Sequence, residues 1–128
     1  MRIKKEDVPV KIYAPGAVAR QQTGFGDATG YGELSGEYFS LGKGADITPL
    51  LCGLENDLCQ CPHWGYLLSG NITVIYGDKS EDKVAGGDLF YMPEGHTVKA
   101  DADSELIMFS PQKEHTVVIN HLLEKMKG

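Results

Sequence analysis

Residues 59–76 read CQCPHWGYLLSGNITVIY, and this stretch decides the fold. An apolar run, Cys61–Leu68, meets the turn formers Ser69-Gly70-Asn71 and gives way to a second run, Ile72–Tyr76. Short runs rich in β-branched and aromatic residues, bounded by turn residues, predict strands rather than a helix. Alternation carries a second message. In an extended chain successive side chains point to opposite faces, so Cys59, Cys61 and His63 would share one face. Thiolate and imidazole suit borderline-soft transition metals, zinc first among them. Leu67 has the same parity and would line an apolar pocket, while Trp64 and Tyr66 would point outward.

The same pattern extends in both directions. Residues 8–13 and 17–22 read as early strands around Pro15-Gly16, and Glu37–Leu41 as another. Thr23–Gly32, rich in glycine, reads as a loop or a wandering edge. Ile47–Gly53 carries Pro49, which removes a ladder donor and marks an edge segment or a connection. Lys83–Ala85, Asp88–Met92, Thr97–Ala100 and Glu105–Phe109 complete the series, with Gly77-Asp78-Lys79-Ser80 and Pro93-Glu94-Gly95 as turns. Many short strands joined by tight turns, with 16 glycines in the chain, predict a sandwich or barrel. The tail differs. Ser110-Pro111 offers an N-cap followed by proline at the first helical position, and Val118, Leu122 and Met126 recur at helical spacing. One helix over about 111–127 is expected to lay its apolar stripe on the outside of a barrel spanning about 33–110, the whole of 1–128 forming one domain.

Composition narrows the function classes. The 128 residues are 41% hydrophobic and 23% charged, as in an ordinary soluble globular protein. A net charge of −6 and the lack of a basic run argue against nucleic acid or an anionic membrane as partner. No stretch approaches the roughly 18–20 consecutive apolar residues that span a bilayer. The N-terminal Met-Arg-Ile-Lys-Lys lacks an apolar signal core, so a cytoplasmic location is expected. Three cysteines are an odd number in a chain large enough to fold without staples, which predicts reduced thiols.

Two segments together resemble the cupin superfamily of small jelly-roll β-barrels. Gly87-Asp88-Leu89-Phe90-Tyr91-Met92-Pro93-Glu94-Gly95 matches the second cupin motif, a Gly-Asp strand start followed by Pro-x-Gly. Tyr66-Leu67-Leu68-Ser69-Gly70 matches the end of the first, which normally runs His-x-His, three or four residues, Glu, six residues, Gly. Counting back from Gly70 puts His63 at the usual glutamate, Cys59 at the second histidine and Asp57 at the first. Val98 stands where the second motif has its histidine, and His96 follows Gly95 directly. The resemblance runs from Leu58 to Phe109 and implies an all-β jelly-roll barrel (double-stranded β-helix) with a C-terminal α-helix. It also implies a homodimer paired through the outer sheet. The Cys-x-Cys-Pro-His-Trp-Gly-Tyr string is similar to a group of small single-domain cupins without an established activity.

The candidate ligands are therefore His63, Cys61, His96 and Cys59, for a divalent transition metal, zinc ahead of iron or nickel. Four such ligands would make a closed structural site; three would leave a position for water or a small molecule. The same residues also read as packing, because a buried cysteine behaves as a small hydrophobe. His115 and His121 on the tail helix match no ligand spacing and read as surface or packing residues, and Cys52 as core. Three functions stay open: a metal-binding cupin with a small-molecule pocket, a non-catalytic binding or redox-sensing module using free thiols, and a metal-free isomerase.

Overall fold

The computed structural model describes residues 2–25, 27–28 and 32–127. Among the described residues ten strands form: β1 Val10–Ala14, β2 Ala17–Gln22, β3 Asp27–Ala28, β4 Gly32–Leu41, β5 His63–Ser69, β6 Asn71–Tyr76, β7 Glu81–Ala85, β8 Leu89–Met92, β9 His96–Ala100 and β10 Ser104–Pro111. An α-helix, α1, spans Gln112–Lys127. The expected glycine-rich loop at 23–32 lies partly outside the described residues. Within it, β3 pairs with the start of β4.

The turn between β5 and β6 is a corner between sheets. Gly70 sits at φ 97°, and a Cβ there would stand 2.3 Å from the Ser104 hydroxyl. Only glycine tolerates both the positive φ and that approach. β5 consequently joins a seven-stranded sheet of order β1-β2-β4-β10-β5-β8, with β3 beside β4, while β6 joins a three-stranded sheet of order β7-β6-β9. All the strand pairings are antiparallel. The two sheets face each other in a jelly roll. Leu67, Leu106 and Met108 of the larger sheet meet Ile72, Val74, Val98 and Ala100 of the smaller in one buried cluster. Gly65 belongs to that fit: a Cβ there would lie 2.5 Å from the ring of Phe90, which turns inward.

Helix α1 does not pack on the outside. The larger sheet outreaches the smaller, so part of its inner face has no sheet opposite. Val118 and Leu122 cover that part, together with Leu51 of the 3-10 turn Thr48–Leu51, over Ile12 and Ala19 of β1 and β2. Each such side chain contributes about 1.5–3 kcal/mol by leaving water. Helical periodicity predicts that a stripe is buried but carries nothing about which surface receives it. The helix starts two residues later than Ser110, because Ser110 and Pro111 continue β10. Cys52 is exposed rather than core; its carbonyl accepts a hydrogen bond from His121 Nε2 at 2.9 Å.

Candidate metal centre

Cys59 and His96 are pinned together by backbone. Cys59 N–H donates to the His96 carbonyl at 2.8 Å, and the N–H groups of His96 (3.2 Å) and Gly95 (2.8 Å) return to the Cys59 carbonyl. His63 opens β5 opposite Met92 of β8, which brings its ring beside that bridge. The His63 and His96 centroids lie 5.2 Å apart, edge to face, and Cys59 Sγ stands 3.7 Å from His63 Nε2. Cys59, His63 and His96 are all buried, and one donor atom from each lies within 4.8 Å of the others.

Hydrogen bonding presets both imidazoles. His96 Nδ1 lies 2.7 Å from the Pro93 carbonyl, which only accepts, so the proton is on Nδ1. Ser110 spends its one hydroxyl proton on Glu37 Oε1, at 2.6 Å. Its oxygen must then accept from His63 Nδ1–H, also at 2.6 Å. In both rings Nε2 carries the lone pair, the form in which histidine binds metal, and that of His63 faces the Cys59 thiol. Burial holds both imidazoles below the usual histidine range, His63 well below, with neighbouring histidines adding to the effect. Burial likewise pushes the Cys59 thiol up to about 11. The Cys61 thiol is raised further, again by burial first and then by Cys59. Thiols held protonated are poor nucleophiles, which weighs against a sensor built on reactive thiolates.

Behind His63 lies a buried polar network. Glu37 Oε2 accepts from Gln21 Nε2 at 3.1 Å, from Ser35 Oγ at 3.0 Å and from His115 Nδ1, while Ser110 holds Oε1. Four donors fill the acceptor capacity of one carboxylate. Glu37, His63 and His115 also lie close enough to share a cation, but Glu37 would have to give up partners to do so.

The expected ligands are thus not all together. Cys59, His63 and His96 converge; Cys61 is in neither group. Its Sγ turns to the carbonyls of Pro62 (3.4 Å) and Pro111 (3.9 Å), among residues packed under α1. The reason is local: β5 begins only at His63, so pleated alternation does not run back through Pro62. Asp57, at the first motif position, accepts from Gly53 N–H on the surface. His115, read as a surface or packing residue, is buried with its ring centroid 4.4 Å from that of His63. Glu37, Ser110, Gln21 and Ser35 were not anticipated. One signal was available: Glu37 shares the alternation parity of Phe39 and Leu41, which marks a carboxylate on the inner face.

A cavity of about 100 Å³ adjoins the three residues. Leu106, Met108 and Val98 line it from the sheets, and Val118, Leu122 and Met126 from α1. The opposite face of the larger sheet is also unusual. Trp64 (47% exposed), Tyr66, Leu68, Leu89 (84%), Tyr91 and Phe109 stand in solvent, with Trp64 stacked on Tyr91 at 5.3 Å. No helix of the described residues is long and apolar enough to cross a membrane.

No family model matches the chain, and no curated protein matches it. Solved structures do. The chain is similar to an RmlC-like cupin from Shewanella frigidimarina, with a TM-score of 0.60 and 19% identity over 89% of this chain and 93% of that one. It is similar to the polyketide cyclase RemF from Streptomyces resistomycificus, with a TM-score of 0.59 and 15% identity over 87% and 78%. It also matches Bacillus subtilis oxalate decarboxylase, with a TM-score of 0.57 and 22% identity over 84% of this chain but only 28% of that longer one. At these identities the likeness speaks for architecture. The arrangement of two facing antiparallel sheets with a C-terminal helix in this chain is the cupin fold.

Proposed function

We propose that this chain is a metal-binding protein of cupin fold, in which Cys59, His63 and His96 hold a divalent transition metal beside a small-molecule pocket. The observation that carries the reading is the pair of Nδ1 hydrogen bonds, which puts the lone pair of both imidazoles on Nε2, beside a buried sulfur. A set of two nitrogens and one sulfur favours zinc, with iron and nickel as lesser fits. Three protein ligands leave a fourth position open. A metal bound there supplies Lewis-acid polarisation or an activated water. The chain's own residues do the rest: Ser110 and Glu37 hold His63 in register, and the apolar walls keep bulk water away. Cys59 must give up its proton on binding, since the thiolate is the ligand.

Three unbridged cysteines suit a reducing cytoplasm. The exposed aromatic face suits a homodimer, because a contiguous apolar patch on a sheet is a common pairing surface. Elemental analysis of untagged protein tests the metal reading. About one zinc per chain is expected, lost in Cys59→Ser, His63→Ala and His96→Ala but kept in Cys61→Ser. Retention of metal by all three of the first variants would refute the assignment.

A further inference from the structure

The cavity beside the metal centre has a chemistry that sets the kind of molecule it takes. Its polar side chains are histidines whose Nδ1 protons are already given away: His63 to Ser110, His96 to Pro93 and His115 to Glu37. The remaining wall is hydrocarbon, thioether and the Cys59 thiol, with no lysine, arginine, carboxylate or hydroxyl side chain among the lining residues. A sugar would leave several hydroxyls without partners, and a small diacid would leave one carboxylate uncompensated. Each unpaired group costs about tenfold or more in affinity. A single polar group escapes this cost at the end where Cys59, His63 and His96 converge.

Size adds a second limit. The cavity volume of about 100 Å³ falls somewhat below the roughly 150 Å³ of an apolar cavity that stays dry and takes up benzene. Scaled from benzene, that corresponds to a body of about four carbons. The ceiling is α1, whose Val118 and Leu122 are buried against the inner face of the larger sheet.

We propose that this cavity receives a compact hydrocarbon body of about four carbons bearing one polar group, which faces Cys59, His63 and His96. The anchoring of the polar group rests on the metal reading above; uptake of the hydrocarbon body does not.

The test is a methyl NMR titration of the full chain. In metal-stripped protein, xenon, which enters dry apolar cavities, should shift the methyls of Met92, Met108 and Val118 saturably. In zinc-loaded protein, 3-methylbutanoate should shift the same methyls and bind at least tenfold more tightly than to the stripped form. It should also bind more tightly than succinate or erythritol. Leu106→Phe and Val118→Phe fill the cavity from two separate elements, and each should abolish the xenon shifts. Shifts confined to Leu68 and Leu89 on the outer face, or tighter binding of succinate, would overturn the proposal. Zinc uptake without any xenon response would overturn it while sparing the metal reading. A xenon response without zinc uptake would support the hydrocarbon site and sink the metal reading.

Discussion

The two faces of β4, β5 and β10 invert the usual order of a soluble sheet. Inside, at one end of the jelly roll, lie Glu37, His63 and Ser110, all buried and polar. Outside stand Trp64, Tyr66 and Phe109, exposed and largely apolar. Adjacent residues on one strand thus run against the ordinary rule in opposite senses, His63 inward and Trp64 outward. Burying polar groups is costly unless every donor and acceptor is matched, and no buried side-chain polar atom among the described residues lacks a partner. Exposed aromatics carry their own liability, because such patches associate. The inner face is therefore a device whose parts are useful only together, whereas the outer face is a surface whose parts act one by one.

Removing the hub of the inner face should have the largest effect. Glu37→Ala leaves four donors facing an empty space, and a loss of about 3–5 kcal/mol is expected in urea unfolding. A loss below about 1 kcal/mol would mean that the network is not built as described. His96→Ala removes one imidazole lone pair but leaves the Glu37 network whole. Zinc affinity should fall more than about 100-fold in calorimetry, with folding largely kept.

Ser110→Ala sharpens the comparison by one step. It replaces no proposed ligand, yet by removing the hydroxyl bonded to His63 Nδ1 it frees that ring to choose the other tautomer, and about 10–100-fold of metal affinity should go with it. Ser110→Thr keeps the hydroxyl and should restore part of that affinity. Unchanged affinity in Ser110→Ala would show that the relay does not orient His63.

Acidity probes the same centre. His63 and His96 titrate below the ordinary 6.5 in the folded chain. The unfolded chain therefore binds more protons below that value, and stability is full above pH 6.5 and lost as pH falls toward the folded values. Cys59 works in the other direction: its folded pKa of about 11 lies above the ordinary 9.0. Its contribution to the metal-free protein is present below pH 9 and fades as pH rises through 11. Because the thiol is protonated at neutral pH, binding of zinc should release about one proton, and affinity should rise about tenfold per pH unit near neutrality. Calorimetry in buffers of different ionisation enthalpy reads that proton directly.

The outer face should give the smallest effect on the inside. Trp64→Glu is expected to lower the molecular mass in light scattering to that of one chain, while zinc affinity moves by less than about twofold. A loss of zinc on that change would break the separation of the two faces.

Strand positions were legible because local pattern encodes them: β-branched runs between glycines and Pro93-Glu94-Gly95 placed β5, β6, β8 and β9 to within a few residues. The outward aromatics Trp64 and Tyr66 followed from alternation alone, and so did the inward facing of His63. Alternation failed at Cys61, because Pro62 interrupts the pleat and no local pattern says where a strand begins to pair. His115 and Ser110 escaped for a different reason. Their partners lie 78 and 73 residues away, in Glu37, and nothing near them in the chain announces that contact.

What the sequence determined by itself was periodicity: which segments extend, which one coils, and which side of each strand is apolar. Only the tertiary structure decided that β5 and β6 part at Gly70 into different sheets, that α1 turns into the open end of the barrel, and that Cys59 rather than Cys61 meets the two histidines. Periodicity is a property of neighbours along the chain. Convergence of buried groups depends on sheet register and on the shape left over when two unequal sheets close, and both are settled by contacts between distant residues.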